Sequence, residues 1–343
     1  MSERVTIDDV AALAKVSIKT VSRVLNDEPN VRPCTRQAVT SAIERLGFRP
    51  SRVARSLAAR RTFIVGLFYD NPCTHYVSNV QEGALQACDR RGYDLSVHPK
   101  PFRGVVTADE IVELYRQARF DGVILTPPLA DIPALVAVLR AERVPVVLIS
   151  PVDRGLGFPT VGTNDRVAAE EMTRQLLSLG HKKIAFVSGH PDHKAVGLRL
   201  EGYRNALREA EIVVPEDYVV TGLNSFESGE VAGLKLFNLP SPPTAIFCAN
   251  DEMAVGVLKV ANTIGLSVPR DVSIVGFDNI PITAQVWPQL STIQQPVREM
   301  SERAAEILFR RIEDGQFESD IEHVTIKSSL VLRESISHPS TNS

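Results

Sequence analysis

Apolar residues recur at helical spacing from the start of the chain. Val10, Ala11, Leu13 and Ala14 form one stripe behind Thr6, and Asp9 three residues after Thr6 makes a capping-box-like start. Lys15-Val16 interrupts the stripe, and Ser17 can cap a second helix in which Val21, Val24 and Leu25 face inward. The pair reads as a helix-turn-helix. A third helix follows from about Pro33 to Leu46, with proline in its first turn and Gly47 at its C-cap, closing a small three-helix core. In the next stretch Ser51 can cap a short helix whose Val53, Ala54, Leu57 and Ala58 share one face among Arg52, Arg55, Arg60 and Arg61. From Thr62 the period changes, and apolar strands alternate with amphipathic helices, as in a parallel sheet built from crossover units. Strands are expected at 63–68, 95–98, 122–125 and 146–149, then in a second set near Val161 and at 184–188, 218–221, 245–249 and 272–277. Two such sets in tandem imply two lobes facing one cleft.

The outer side of the second helix carries Ile18, Lys19, Thr20, Ser22, Arg23 and Asn26, a mixture suited to phosphates and base edges. Thr6, Ser17 and Asn30 flank it and complete the candidate DNA-contacting set. Taken alone, this face fits either DNA reading or an ordinary amphipathic hairpin. Charge shifts the balance: the net charge is −3 overall, but residues 1–62 hold 12 Lys/Arg against 6 Asp/Glu. The basic end is the one suited to a polyanion. A chain of 343 residues accommodates such a unit beside a larger core-bearing one. No apolar run reaches the roughly 18 residues of a membrane span and no secretion signal is evident, so a cytoplasmic location and no membrane partner are expected. The four cysteines form no CxxC pair, which suits a reducing compartment.

TIDDVAALAKVSIKTVSRVLN (Thr6 to Asn26) followed by RPSRVARSLA resembles the headpiece and hinge of the lactose/galactose-repressor (LacI/GalR) family of bacterial transcription regulators. The resemblance extends from about residue 5 to residue 333 through VGTND (161–165), LGHKKIAFVSG (179–189), RLEGY (199–203), CANDEMAVG (248–256), SIVGFDN (273–279) and LSTIQQP (290–296). It implies an α/β protein in which an all-helical helix-turn-helix headpiece precedes two periplasmic-binding-protein-like lobes of doubly wound parallel sheet. The expected boundaries are 1–49 for the headpiece, 50–61 for the hinge helix and linker, 62–335 for effector binding and dimerisation, and 336–343 for a tail. Lobe 1 is expected to comprise about 62–160 and 291–320, and lobe 2 about 161–290 and 321–335. The chain departs from the family at Ser51, where Asn is usual, and at Arg32, which replaces a capping Ser or Thr and cannot cap the third helix.

The family resemblance also implies function: a repressor that binds a palindromic double-stranded operator as a homodimer under control of a small effector, a sugar or sugar acid. Effector-binding candidates are Tyr69, Asp70, Asn71 and Tyr76 from the first lobe, and Arg199, Asn224, Asn250 and Asp278 from the second. Asn224 stands where the purine-binding member has an aromatic platform, so a purine stack is not expected. Ser150 stands where sugar-binding members often carry Asp. Each residue has a plainer reading: Asn250 and Asp278 as turn or cap residues, Arg199 as a solvated ion pair, Tyr76 as core. A cytoplasmic sugar-binding or enzymatic module with an incidental helical headpiece is the alternative. Little supports enzyme chemistry: His190 and His193 lack a third metal ligand, no phosphate loop or nucleophile elbow is present, and neither a metal nor a cofactor is expected.

A hinge of roughly eight residues is below the about 12–15 needed for a stable isolated helix and should fold only when packed. Two hinges laid together on the minor groove would provide that packing, with Val53 between them and Leu57 wedging between base pairs. Leu57→Ala should therefore weaken operator binding and bending and leave effector affinity nearly unchanged. Anisotropy and calorimetry on one sample check this; equal loss of both would contradict the assigned role.

Overall fold

The computed structural model describes residues 5–25, 28–48, 56, 59, 61–71, 73–100, 108–315 and 321–340. The chain forms two compact units, Met1–Thr62 and Phe63–Ser343.

In the small unit, α1 (Ile7–Ala14), α2 (Ile18–Leu25) and α3 (Pro33–Leu46) enclose Val10, Ala11, Val21, Val24, Val39, Ala42 and Phe48. The capping box forms as expected: Thr6 Oγ1 accepts from the Asp9 amide at 3.4 Å and Asp9 Oδ2 accepts from the Thr6 amide at 2.8 Å. Lys15, at φ 54°, makes the turn, and Ser17 Oγ accepts from the Thr20 amide at 3.2 Å at the start of α2. Arg32 makes no side-chain cap, while Gly47 at φ 60° ends α3 and lets the Phe48 amide reach the Ile43 carbonyl. The expected hinge helix, with Val53, Ala54 and Leu57, lies outside the described residues, as does Asn26.

The large unit contains two parallel sheets. The first orders its strands β11-β5-β4-β3-β1-β2: β1 (Ile64–Tyr69), β2 (Asp94–Pro99), β3 (Gly122–Leu125), β4 (Val146–Ile149), β5 (Thr160–Thr163) and β11 (His323–Ile326). Helices α4 (Thr74–Arg91), α5 (Ala108–Ala118), α6 (Pro133–Ala141) and α11 (Val297–Asp314) complete this lobe. The second orders β7 (Val219–Thr221), β6 (Ile184–Ser188), β8 (Ala245–Cys248) and β9 (Ser273–Val275). Its helices are α7 (Asp165–Ser178), α8 (Ala195–Glu209), α9 (Phe226–Phe237) and α10 (Asp251–Thr263). A two-stranded ribbon of β10 (Thr292–Gln294) and β12 (Ser329–Val331) is antiparallel. Strands buried on both faces, such as Val146–Ile149 and Ala245–Cys248, read as continuous apolar runs because helices cover both sides.

Helices pack closely where glycine permits it: a Cβ on Gly202 of α8 would lie 2.1 Å from the Arg166 carbonyl oxygen of α7.

Expected boundaries are corrected at four points, the first being lobe 1's second segment, which begins after Gln295 rather than at 291, because Ser291 bridges to Val275 and Gln294 to Asp278 beside the second sheet. The strand near Val161 pairs with β4 in register Leu148 to Thr160, so it ends the first sheet rather than opening the second lobe. Of the 321–335 segment expected in lobe 2, His323–Ile326 instead extends the first sheet beyond β5. The reason is edge coverage: β5 would otherwise expose a row of unpaired backbone groups. The chain thus passes between lobes at Asn164, at Gln295-Pro296 and at Lys327-Ser328, and the Asn164 side chain ties two of these crossings by accepting from the Ser328 amide at 2.8 Å. The expected tail at 336 begins later, because Ser337 donates to Ser273 Oγ at 3.1 Å and His338 Nδ1 meets the Leu179 carbonyl at 2.8 Å.

Candidate DNA-reading surface and ligand cleft

In the small unit, the inward residues of α2 leave the opposite face free. Ile18, Lys19 and Arg23 are exposed and Thr20 and Ser22 half-buried. An isoleucine 46 % exposed beside a lysine and an arginine serves no core. Arg23 reaches Glu28 at 3.4 Å, both side chains half exposed, so the pair is weak. Ser17 and Thr20 share a hydroxyl contact of 2.9 Å at the helix start, and Thr6 and Asn30 are exposed in the flanking turns.

In the large unit, the carboxyl ends of strands from both sheets meet around one cavity. The first lobe contributes Asn71, Cys73 and Tyr76 after β1, Pro127 after β3 and Ser150 after β4. The second contributes Asp165, His193, Arg199, Asn224, Asn250 and Asp278, and the crossing segment adds Gln295. This is where an open α/β sheet receives its ligand.

Arg199 is the centre of the cavity's polar network. Its Nε donates to Asp165 Oδ1 at 2.9 Å, its Nη1 donates to the Ala249 carbonyl at 2.5 Å and lies 3.7 Å from Asp278 Oδ1, and its guanidinium carbon stands 3.7 Å from the centre of the Phe277 ring. The Arg199 and Asp165 side chains are 10 % and 5 % exposed, which excludes the solvated ion pair. Asp278 Oδ1 also accepts from Gln295 Nε2 at 2.5 Å, and its backbone is held at φ 118°. That strained turn is braced from behind by Asp251, fully buried at the start of α10. Asp251 accepts from Thr292 Oγ1 at 2.5 Å and from the Ile280 amide at 2.9 Å. Gly276 makes room, since a Cβ there would lie 2.1 Å from Asp251 Oδ1. Burial, with the Asp278 charge added, pushes Asp251 well above the carboxylate range. Burial pushes Asp278 up to about 6 despite the Arg199 charge. His193 is driven down to about 4, by burial first and then by His190 and Arg199.

The expected ligand residues separate into groups. Asn71, Tyr76, Arg199, Asn224, Asn250 and Asp278 all line the cavity. Asn250 is nevertheless a helix cap, its Oδ1 accepting from the Met253 amide and its Nδ2 donating to the Asn224 carbonyl, both at 3.0 Å. Asn224, at φ 61°, has its Oδ1 held by the His190 amide. The Tyr76 hydroxyl is buried at the cavity without a protein partner, which a core tyrosine rarely tolerates.

Tyr69 and Asp70 do not line the cavity: Tyr69 packs against the apolar cluster under α11, and Asp70 is buried, its carboxyl raised to about 6 by burial and by Asp192. Asp165, His193 and Gln295 join the cavity without having been singled out for ligand binding. Asp165 and Gln295 fall inside the VGTND and LSTIQQP motifs, and His193 stood only as half of a metal pair. Among the described residues no cluster of metal-ligating side chains is present, and no helix is long and apolar enough to cross a membrane.

Comparison with known proteins gives this arrangement a family. Residues 6–51 match the description "Bacterial regulatory proteins, lacI family", and residues 173–336 match "Periplasmic binding protein-like domain". Catabolite control protein A of Priestia megaterium is 35 % identical over 323 residues, covering 92 % of this chain and 95 % of that one. The probable HTH-type transcriptional repressor ExuR of Bacillus subtilis is 31 % identical over 336 residues, covering 97 % and 98 %. Among solved structures, the lac repressor dimer bound to operator and the anti-inducer ONPF superposes with a TM-score of 0.78 at 27 % identity, covering 98 % of this chain and all of that one. The CelR-cellobiose complex superposes at 0.73 with 29 % identity, covering 97 % and 100 %. Full-length relatives above 30 % identity thus agree with the motifs, the capped helical unit and the crossed lobes, and the chain belongs to the lacI family of bacterial regulatory proteins.

Proposed function

We propose that the chain is a transcription repressor that binds a palindromic DNA operator as a homodimer in the cytoplasm and is controlled by a small carbohydrate effector in the cleft of its large unit. What carries this reading is the polar and basic outer face of α2, exposed on a helical unit that has its own core and caps. A recognition helix of this kind lies in the major groove, and two of them require a two-fold symmetric site. A relative aligned over most of this chain is named as a regulator: a ribose operon repressor of Escherichia coli is 33 % identical over 307 residues, covering 90 % of this chain and 93 % of that one. Ligand contacts are assigned to Asn71, Tyr76, Arg199, Asn224 and Asp278, with Asn250 shaping the wall. Binding energy there would act on the relation of the two lobes, and a coupling of about 1–3 kcal/mol would change operator affinity some 5- to 150-fold.

The test is fluorescence anisotropy of the full chain on a labelled palindromic duplex from upstream of its own gene, across salt and with a panel of sugars. The affinity is expected to fall with a log-log slope near −0.9 per phosphate contacted, and one sugar is expected to shift it. Equal binding to scrambled DNA throughout would defeat the repressor reading.

A further inference from the structure

We propose that the segment 189–194, between β6 and α8, is a gate on the cleft, held shut by Lys194 of the second lobe donating to Asp131 of the first, and that a ligand enters when this link breaks. The proposal takes the cleft as the effector site and adds how that site is opened.

The cavity as it stands is too small for a sugar. It leaves about 60 Å³, and each water takes about 10–15 Å³ of such space. Several waters fit and a hexose does not, so part of the wall must move. The Arg199 and Asp278 side of the wall is fixed by the buried network described above. His193 is the wall residue that belongs to the gate, and it is 8 % exposed. Lys194 follows it directly, so releasing the lysine frees the wall.

The gate is stiff and is held by both lobes. At its root the His190 amide donates to Asn224 Oδ1 at 3.2 Å, and a Cβ on Gly189 would lie 1.9 Å from that oxygen. Within it the His193 amide donates to the His190 carbonyl at 3.0 Å, and Asp192 Oδ2 lies 3.5 Å from His190 Nδ1. These bonds make the segment move as a unit. At its tip Lys194 Nζ donates to the Asp131 carbonyl at 3.2 Å. Asp131 ends the short 3-10 turn Leu129–Asp131 after β3 and is buried. Its carboxylate Oδ1 accepts from the Val152 amide at 2.8 Å, and its Oδ2 has no hydrogen-bond partner. A buried negative charge therefore stands behind the carbonyl that receives the ammonium. A single hydrogen bond from a charged group is worth at least about a tenfold shift between shut and open, enough to hold the gate and little enough to release it.

Cys73 reports the gate with no ligand present. It lines the same cavity, is 6 % exposed, and burial pushes its thiol up to about 12, so it is inert while the cleft is shut. Cys34 is exposed, whereas Cys88 and Cys248 are buried in the apolar cores off the cavity wall and react only on unfolding. The experiment treats the full chain at pH 7.5 with methyl methanethiosulfonate and follows the labelling of each cysteine by mass spectrometry of its peptide. In the parent chain Cys34 should label at once and Cys73 slowly. Lys194→Met should speed Cys73 about tenfold and leave Cys88 and Cys248 unmoved, while Lys194→Arg, which keeps a charged donor, should stay within about twofold of the parent. A Cys73 rate unchanged in Lys194→Met overturns the proposal, as does Cys73 reacting as fast as Cys34 in the parent chain. An equal rise at all three buried cysteines also overturns it, since Lys194 would then hold the fold rather than the opening. No DNA or sugar enters the experiment, so its failure leaves the repressor reading to be decided by operator binding.

Discussion

Replacing Arg199 by leucine is expected to destabilise the large unit by about 3–5 kcal/mol, the usual cost of removing one partner from a buried ion pair. The loss comes less from the missing bonds than from what stays behind. Asp165 and Asp278 would face the same cavity with no cation between them, and the Ala249 carbonyl would lose its donor. For a unit of this size the melting temperature should fall by roughly 10 °C at neutral pH. The deficit should narrow near pH 5, since Asp278, pushed to about 6 even beside the arginine, then takes up a proton and sheds the charge that lacks a partner. Thermal unfolding followed by circular dichroism at the two pH values measures both effects. An unchanged melting temperature at pH 7 would mean that Arg199 is not a buried pair in solution.

Val21→Asp should abolish DNA binding at every salt concentration and leave sugar binding within about twofold. Val21 is fully buried in a core of seven residues. Units this small hold only a few kcal/mol of stability, and an unpaired buried carboxylate costs several. The large unit shares none of that core, so its cleft should be untouched. Anisotropy on operator DNA and calorimetry on the same preparation separate the two. Retained operator affinity would show that the three helices do not depend on one another.

The local periods of the chain foretold many elements: Pro33–Leu46, Gly122–Leu125, Val146–Ile149 and Ile184–Ser188 stand where their apolar spacing placed them. Which sheet a strand joins is another matter, because periodicity carries no address. Val161 and Val324 lie side by side only through a pairing across more than 160 positions in the chain. The same holds for the cleft. Asn71, Tyr76, Arg199 and Asp278 could be named from motifs, but the partners of Arg199 stand 34 and 50 residues away. No spacing rule reports whether such an arginine is solvated or buried. Asn250 combines both readings, as helix cap and cavity wall. Tyr69, the last residue of β1, packs against an apolar cluster, and Asp70 just after it is buried, so a place at a strand's carboxyl end does not by itself put a side chain on the cavity wall.

The placement of His323–Ile326 at the far edge of the first sheet also governs the order in which the nascent chain can fold. The three helices at the front complete their core soon after they leave the ribosome, since all their partners are within 48 residues. The first sheet must wait for a strand made some 260 residues after its first one. During synthesis the DNA-reading unit is therefore finished before the part that restrains it exists, and the sensing half is assembled only as translation ends.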